Sequence, residues 1–317
     1  MDRKKILHFL GIIISLFFIY LVFRSSNIHE VIENIRGISI YSIISIMLLS
    51  TLMVVTKTYR WKILLDPSDR VPFIKLLKIN FISHFMNIVF PFRAGELAQI
   101  FLTKKVSRAS KSNITGSIVL NKFMELLSLL MLFYILITLV KTSLPSVVLS
   151  VTQYLLIFCI IFLLIFAFNV IDIKKIKEPK NIILESIYRF FLSLKHIQNK
   201  HLLLRSIIIS LLTWGIELLI IYILLGAFNI NLPVWTPILI LVGINIAMLI
   251  PASSASFGPY EYSIVLMLGI FAVPNEKAVA FAITLHFLEI ILVLLIGFVS
   301  YLGLKKDKNK LLTEISK

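Results

Sequence analysis

This chain has one cysteine, Cys159, which sits inside an apolar run with no second thiol to pair with. Disulfide scaffolds and cysteine-based metal clusters are thereby excluded, and Cys159 reads as a small buried hydrophobe. Acidic residues are also scarce, 16 against 32 basic ones. An excess of that sign suits a nucleic-acid partner only when the basic side chains gather in one domain and alternate with aromatics. Here they fall in short blocks between apolar runs, so no nucleic-acid partner is expected. The phosphate-cradling pattern G-x-x-x-x-G-K-[ST] is missing, as is any zinc or redox motif, and neither a metal nor another cofactor is expected. No linker, low-complexity tract or soluble domain interrupts the chain.

What is abundant is apolar sequence: 59% of the residues are hydrophobic and the mean hydropathy is +0.97. Several apolar runs are long enough to cross a bilayer, which makes the chain an all-α, polytopic membrane helical bundle. Full spans are predicted at 6–23, 38–56, 114–140, 147–170, 202–226 and 278–304. The first resembles a signal peptide, with Arg3, Lys4 and Lys5 before the apolar run. That run is too long for a usual signal core and lacks a small-residue cleavage site, so it reads as an uncleaved span.

Basic residues cluster at the N-terminus, in 57–78, 93–113 and 171–205, and after Lys305; the other loops hold only Arg24, Arg36, Lys141 and Lys277. The rich blocks are expected on the cytoplasmic side, with both termini. The expected location is the cell (plasma) membrane. The segment 171–201 mixes lysines with Ile182, Ile183, Ile187 and Phe190, and reads as an amphipathic helix on an anionic leaflet.

Two further apolar regions, 73–112 and 235–273, are broken by similar polar inserts. One runs from Asn87 to Glu96 and the other from Asn245 to Glu261; each opens on Asn-Ile, reaches a proline, passes a glycine and ends on glutamate. Broken backbone at membrane depth persists only where it is buried in protein or lines a cavity. The first region has basic blocks on both sides and is expected to dip in from the cytoplasm. The second has sparsely charged loops on both sides and is expected to dip in from outside. Eight plain spans fit the same runs less neatly. The expected organisation is one transmembrane domain with an inverted-topology repeat, half one 1–143 and half two 144–304, followed by a cytoplasmic tail at 305–317.

Three stretches carry a resemblance. They are Arg60-Trp61-x-x-Leu64-Leu65, Asn87-x-x-x-Pro91-x-Arg93-x-Gly95-Glu96, and Pro251-Ala-Ser-x-x-x-x-Gly258-x-Tyr260-Glu261, followed by His286 and Gly297. Together they resemble the lysylphosphatidylglycerol synthase transmembrane region, also called the flippase-like domain family, from about residue 10 to 304. In the family's best-known bacterial members the membrane part translocates aminoacylated phosphatidylglycerol, and a separate soluble domain transfers lysine from its tRNA. These residues contain no counterpart of that domain, so the resemblance implies lipid translocation rather than self-sufficient lysyl transfer. The chain departs from the family pattern at Gln99, where arginine is usual. It departs again at Ser253-Ser254-Ala255-Ser256, where Ser-Pro-Gly-Gly is favoured, and at Asn121-Lys122-Phe123-Met124-Glu125, a loose version of Glu-Arg-x-x-Asp.

Charged side chains inside a bilayer cost about 2.5–3.5 kcal/mol each on insertion scales, so those that persist are paired or face a polar cavity. Five carboxylates qualify: Glu96, Glu125, Glu217, Glu261 and Glu289. Arg93 and Lys122 are the basic residues at comparable depth. Pro91 breaks the first dipping segment, after which Arg93 and the free N–H groups of a new helix start would attract a phosphate. An Arg93–Glu96 ion pair that merely closes the hairpin is the plainer reading of the same residues. In the second hairpin, Pro251 and Gly258 break the helix, Pro259 and Glu261 open the next, and Ser253, Ser254 and Ser256 offer hydroxyls or simple capping. Lys122 and Glu125 share one helix face, and His286 and Glu289 repeat that spacing on the sixth span, as cavity lining or as structural pairs. Trp61, Trp214 and Trp235 read as interfacial anchors or packing.

The expectation is therefore a flippase-like transporter of a phospholipid or lipid-linked headgroup, with no catalytic residue assigned. A membrane subunit of an aminoacyl or glycosyl lipid synthase, acting with a lipid-modifying transferase, is the alternative, and a small-solute secondary transporter is a third. The oligomeric state is open.

Overall fold

The computed structural model describes residues 3–65, 71–90, 94–140, 146–167, 200–250, 252 and 254–315. The elements among the described residues are all helical, without a strand: α1 (Arg3–Phe23), α2 (Ile28–Arg36), α3 (Ile40–Leu64), α4 (Phe73–Val89), α5 (Ala94–Val106), α6 (Lys111–Val140), α7 (Ser146–Ala167), α8 (Lys200–Ala227), α9 (Thr236–Ala247), a 3-10 turn (Ser254–Ser256), α10 (Pro259–Gly269) and α11 (Asn275–Ile315). Four stretches are each long and apolar enough to cross a membrane: Ile40–Leu64, Lys111–Leu136, His201–Ala227 and Asn275–Leu304. The segments Phe9–Phe23 and Ile28–Arg36, bent by 83° at their break, count as a fifth if the pair is a single span. The protein is thus a multi-pass, all-helical membrane protein. The expected amphipathic segment at 171–201 falls almost wholly outside the described residues.

The surface pattern fits a lipid solvent. Leu48 on α3, Leu126 on α6, Phe158 on α7, Leu212 on α8 and Leu295 on α11 are exposed, whereas Ser50, Thr58, Ser117, Ser128, Ser206, Ser210 and Thr284 are buried. Small polar residues let helices approach closely and satisfy their hydroxyls on carbonyls one turn back, as Thr58 does on Val54 and Thr284 on Ala280.

The helix α2 was not expected from the sequence. Asn27 caps it, its side chain accepting the His29 N–H at 3.1 Å and donating to Glu30 at 3.1 Å. Glu30 in the first turn and Arg36 in the last complement the helix dipole.

The chain forms two compact units. One comprises Met1–Met53, Lys78–Ala98 and Ile216–Lys317; the other comprises Val54–Leu77 and Gln99–Gly215. In the first, α10 packs on α1, α9 and α11, and α2 packs on α11. Its core includes Ile264, Leu268, Phe281 and Leu285, all buried. In the second, α6 packs on α7, and Leu64, Leu120, Met124, Leu127 and Cys159 form an apolar cluster.

The broken regions have short helices. At about 1.5 Å per residue, the 17 residues of α4 and 13 of α5 reach about 26 and 20 Å, and the 12 of α9 and 11 of α10 about 18 and 17 Å. Each is shorter than the roughly 30 Å hydrocarbon core of a bilayer.

Candidate functional site

Two buried charge networks stand out, one in each unit. The first begins where α10 starts. Gly258 precedes Pro259 with φ 93° and ψ −67°, a conformation open to glycine but not to residues with a Cβ. Any Cβ there would also lie 2.6 Å from the Ser15 carbonyl oxygen and 3.0 Å from Phe18 Cβ. Glycine therefore lets α1 close onto the helix start. The Gly258 N–H points into the first turn and donates to Glu261 Oε2 at 2.7 Å. A carboxylate in this place offsets the exposed N–H groups of the helix end.

The other oxygen, Glu261 Oε1, lies 2.6 Å from His286 Nδ1 on α11, and both residues are buried. With Oε2 already accepting an N–H, the pair is read as the imidazole N–H donating to a carboxylate. Tyr260 stacks on the imidazole with centroids 4.0 Å apart and a 16° angle between planes, and Phe257 approaches it at 5.0 Å. The Tyr260 hydroxyl donates to Glu289 Oε2 at 3.2 Å. Glu217 on α8 lies, with Glu261 and Glu289, within electrostatic reach of that hydroxyl. Two of the five sequence-predicted carboxylates are thus joined through Tyr260, Glu289 at its hydroxyl and Glu261 through the imidazole stacked on its ring.

The sequence spacing paired His286 with Glu289. In the structure the partner of His286 is Glu261, twenty-five residues back, and Glu289 is taken by Tyr260.

The same unit holds the inner part of the first broken region. Gly95 in α5 abuts α4, and a Cβ there would fall 1.9 Å from the Ser83 carbonyl oxygen. Ser83 Oγ donates to the Gly95 carbonyl and Asn87 Oδ1 accepts the Gly95 N–H, both at 2.8 Å. Asn87, the first residue of the polar insert, is therefore the cap of α5. Glu96 occupies the first turn of α5, half-buried. Pro91 and Arg93 lie outside the described residues, as do Pro251 and Ser253. The backbone of Ser254 lies in the 3-10 turn, and Ser256 is half-buried with φ 57°.

The second network centres on Arg60, which is fully buried. Its Nε donates to Asn121 Oδ1 at 2.7 Å and its Nη1 to Ser210 Oγ at 2.9 Å. Its Nη2 lies 3.5 Å from Glu125 Oε1. Lys57 Nζ is 3.5 Å from the same oxygen, and Lys122 Nζ is 4.0 Å from Oε2. The Lys122–Glu125 spacing read from the sequence is thus an ion pair. Trp214 donates from Nε1 to the Glu125 carbonyl and to Ser128 Oγ, both at 3.1 Å. Trp61 donates to Ser117 Oγ at 3.1 Å. Both tryptophans are buried packing residues. Trp235 packs edge-on against Phe271 at the start of α9.

Lys57, Arg60 and Tyr260 were not among the residues assigned to the site from charge and hydropathy. For the basic pair the signal was hidden, because Lys57 and Arg60 lie in a run that also holds Lys62 and was counted as loop. The helix instead continues to Leu64. Among the described residues no group of three or more His, Cys, Asp or Glu side chains could hold a metal ion.

Residues 8–297 match the family described as the Lysylphosphatidylglycerol synthase TM region. The chain is also similar to the UPF0104 membrane protein MJ1078 of Methanocaldococcus jannaschii, with 25% identity over 235 residues, 71% of this chain and 99% of that protein. No solved structure matches.

Proposed function

The chain belongs to the Lysylphosphatidylglycerol synthase TM region family, and on that premise we propose that it translocates the headgroup of a phospholipid or lipid-linked molecule between leaflets. The observation that carries this reading is the Glu261–His286 pair at a helix start inside an apolar region. Two ionisable groups buried there cost free energy that a purely apolar helix start would avoid. Their retention is accounted for if a polar group must pass this point. The lengths of α4, α5, α9 and α10 support two re-entrant hairpins and an inverted-topology repeat. The loop charges support both termini facing the cytoplasm of a cell membrane.

In this reading Glu261, His286, Tyr260 and Glu289 offer two carboxylates, an imidazole and a phenol to amines and hydroxyls of the headgroup. The same groups are suited to passing protons that couple the movement, since the imidazole and the carboxylate share a hydrogen bond. Arg93 is assigned to the phosphate from its sequence position beside Pro91. The lipid tail remains in the bilayer. A lipid-modifying transferase as partner fits the same premise.

The test is a headgroup-labelled phospholipid in liposomes holding the purified chain, with accessibility to a membrane-impermeant quencher as readout. Glu261→Gln and Arg93→Ala are expected to abolish the protein-dependent exchange while inserting normally. Unchanged exchange in both variants would remove the hairpins from the mechanism.

A further inference from the structure

The network around Arg60 has an arrangement that ion pairing alone does not explain. Lys57, Arg60 and Lys122 converge on the single carboxylate of Glu125. Two of them share Oε1, each at 3.5 Å, and the third stands further off Oε2 at 4.0 Å. Their side-chain exposure rises in order, from 1% at Arg60 through 19% at Lys57 to 55% at Lys122. The cluster is therefore graded. Its guanidinium is locked by Asn121, Ser210 and Glu125, while its outermost ammonium is open and loosely held.

Lys122 also stands well inside the apolar span. Eight residues separate it from Ile114, where that run begins, a distance of about 12 Å along the helix. A lysine can snorkel about one helical turn, so a simple solvated surface role does not suit it. An ammonium open to the outside of the protein at that depth is accounted for by an anionic partner in the lipid.

We propose that Lys122 and Lys57 form a receiving site for a phosphate oxyanion, with the Arg60–Glu125 pair as the fixed base that holds them. The ends of α3, α6 and α8 nearest this cluster lead into the basic blocks 57–78, 93–113 and 171–205, which places it toward the cytoplasmic leaflet. The phosphate would be that of a lipid headgroup, and to that extent the inference rests on the headgroup-translocation reading. A free phosphate ion has the same chemistry, and the experiment separates the two.

Native mass spectrometry of the purified full chain in detergent, titrated with phosphatidylglycerol or with a diacylglycerol of the same acyl chains, reads the phosphate contribution directly. Lys122→Gln is expected to weaken phosphatidylglycerol binding about tenfold, as the loss of one close ionic contact would. Diacylglycerol binding should be unchanged, and Lys122→Arg should restore the preference. Competition by millimolar inorganic phosphate would assign the site to the free ion, and its absence to the lipid-borne group; both keep the oxyanion site. Equal phosphatidylglycerol binding by wild type and Lys122→Gln would overturn it, as would an equal loss for diacylglycerol. The translocation assay keeps the two readings apart. Lys122-dependent binding in a chain that moves no lipid would leave the site and remove the transport reading, and active transport with Lys122-independent binding would do the reverse.

Discussion

Glu261 is held between two donors from different parts of the chain, the Gly258 N–H at 2.7 Å and the His286 imidazole at 2.6 Å. One carboxylate therefore caps α10 and ties it to α11. Removing the side chain in Glu261→Ala strands both donors in a buried site, and a stability loss of about 3 kcal/mol is expected. Glu261→Gln, which keeps one acceptor, should lose about half as much. A double-mutant cycle with His286→Ala is expected to show a coupling of at least about 1 kcal/mol. Denaturant unfolding in detergent reads these values, and additive losses would mean that the two side chains do not act as a pair.

The break before α10 stores backbone strain. Ala255 and Ser256 have φ of 58° and 57°, the left-handed region that costs a residue with a Cβ about 1–2 kcal/mol. These are the two positions at which the family pattern favours glycine. Ala255→Gly and Ser256→Gly are each expected to stabilise the protein by about 0.5–1 kcal/mol, the relieved strain less the larger entropy of glycine in the unfolded chain. Gly258→Ala is expected to act in the opposite direction by more than about 2 kcal/mol, since it adds both φ strain and a collision with α1. Thermal unfolding of the three variants checks the sign of each change. Stabilisation by Gly258→Ala would contradict the backbone path described here.

Much of this was readable beforehand because charge in an apolar run is a strong signal. Glu261 and Glu289 were singled out one by one for that reason, and the structure links both to Tyr260, one through the stacked His286 and the other by a hydrogen bond. Which partner each takes was not readable. Spacing along a helix reports neighbours one turn away, whereas His286 finds Glu261 across a helix–helix contact. Arg60, quoted in the resemblance, was left out of the site for another reason. A basic residue near the end of a span looks the same in sequence whether it is solvated or turned inward onto Asn121 and Ser210. The short helix α2 did leave a signal, Asn27 followed three residues later by Glu30 and ended by Gly37, a capping pattern that the surrounding apolar runs overshadowed.

Arg60 donates in two fixed directions, to Asn121 and Ser210, and brings Nη2 to within 3.5 Å of Glu125 as an ion pair. A lysine offers a single ammonium and cannot reproduce that fork. Arg60→Lys is therefore expected to lose about 2 kcal/mol of stability despite keeping the charge, and Arg60→Ala about 3–5 kcal/mol, because the carboxylate and two polar side chains lose a buried partner. Equilibrium unfolding in detergent measures both. A fully tolerated Arg60→Lys would reduce the guanidinium to a counter-charge for Glu125.

The proposed re-entrant hairpins make a prediction that eight plain spans do not. If α4 and α5 enter and leave on one side, then Lys75 and Lys105, both exposed, face the same compartment, the cytoplasm by their charge. If α9 and α10 do likewise from the other side, Val234 and Ala272, also exposed, both face outward. Single cysteines at these four positions distinguish the cases with a membrane-impermeant maleimide on intact and permeabilised cells. The native Cys159 is buried and should contribute little background. The expected result is labelling of Val234→Cys and Ala272→Cys on intact cells, and of Lys75→Cys and Lys105→Cys only after permeabilisation. If either pair divides between the two sides, its helices cross the bilayer together as one bent span, and Asn87 and Glu96, or Glu261, would then sit in a kinked transmembrane helix rather than at the tip of a loop.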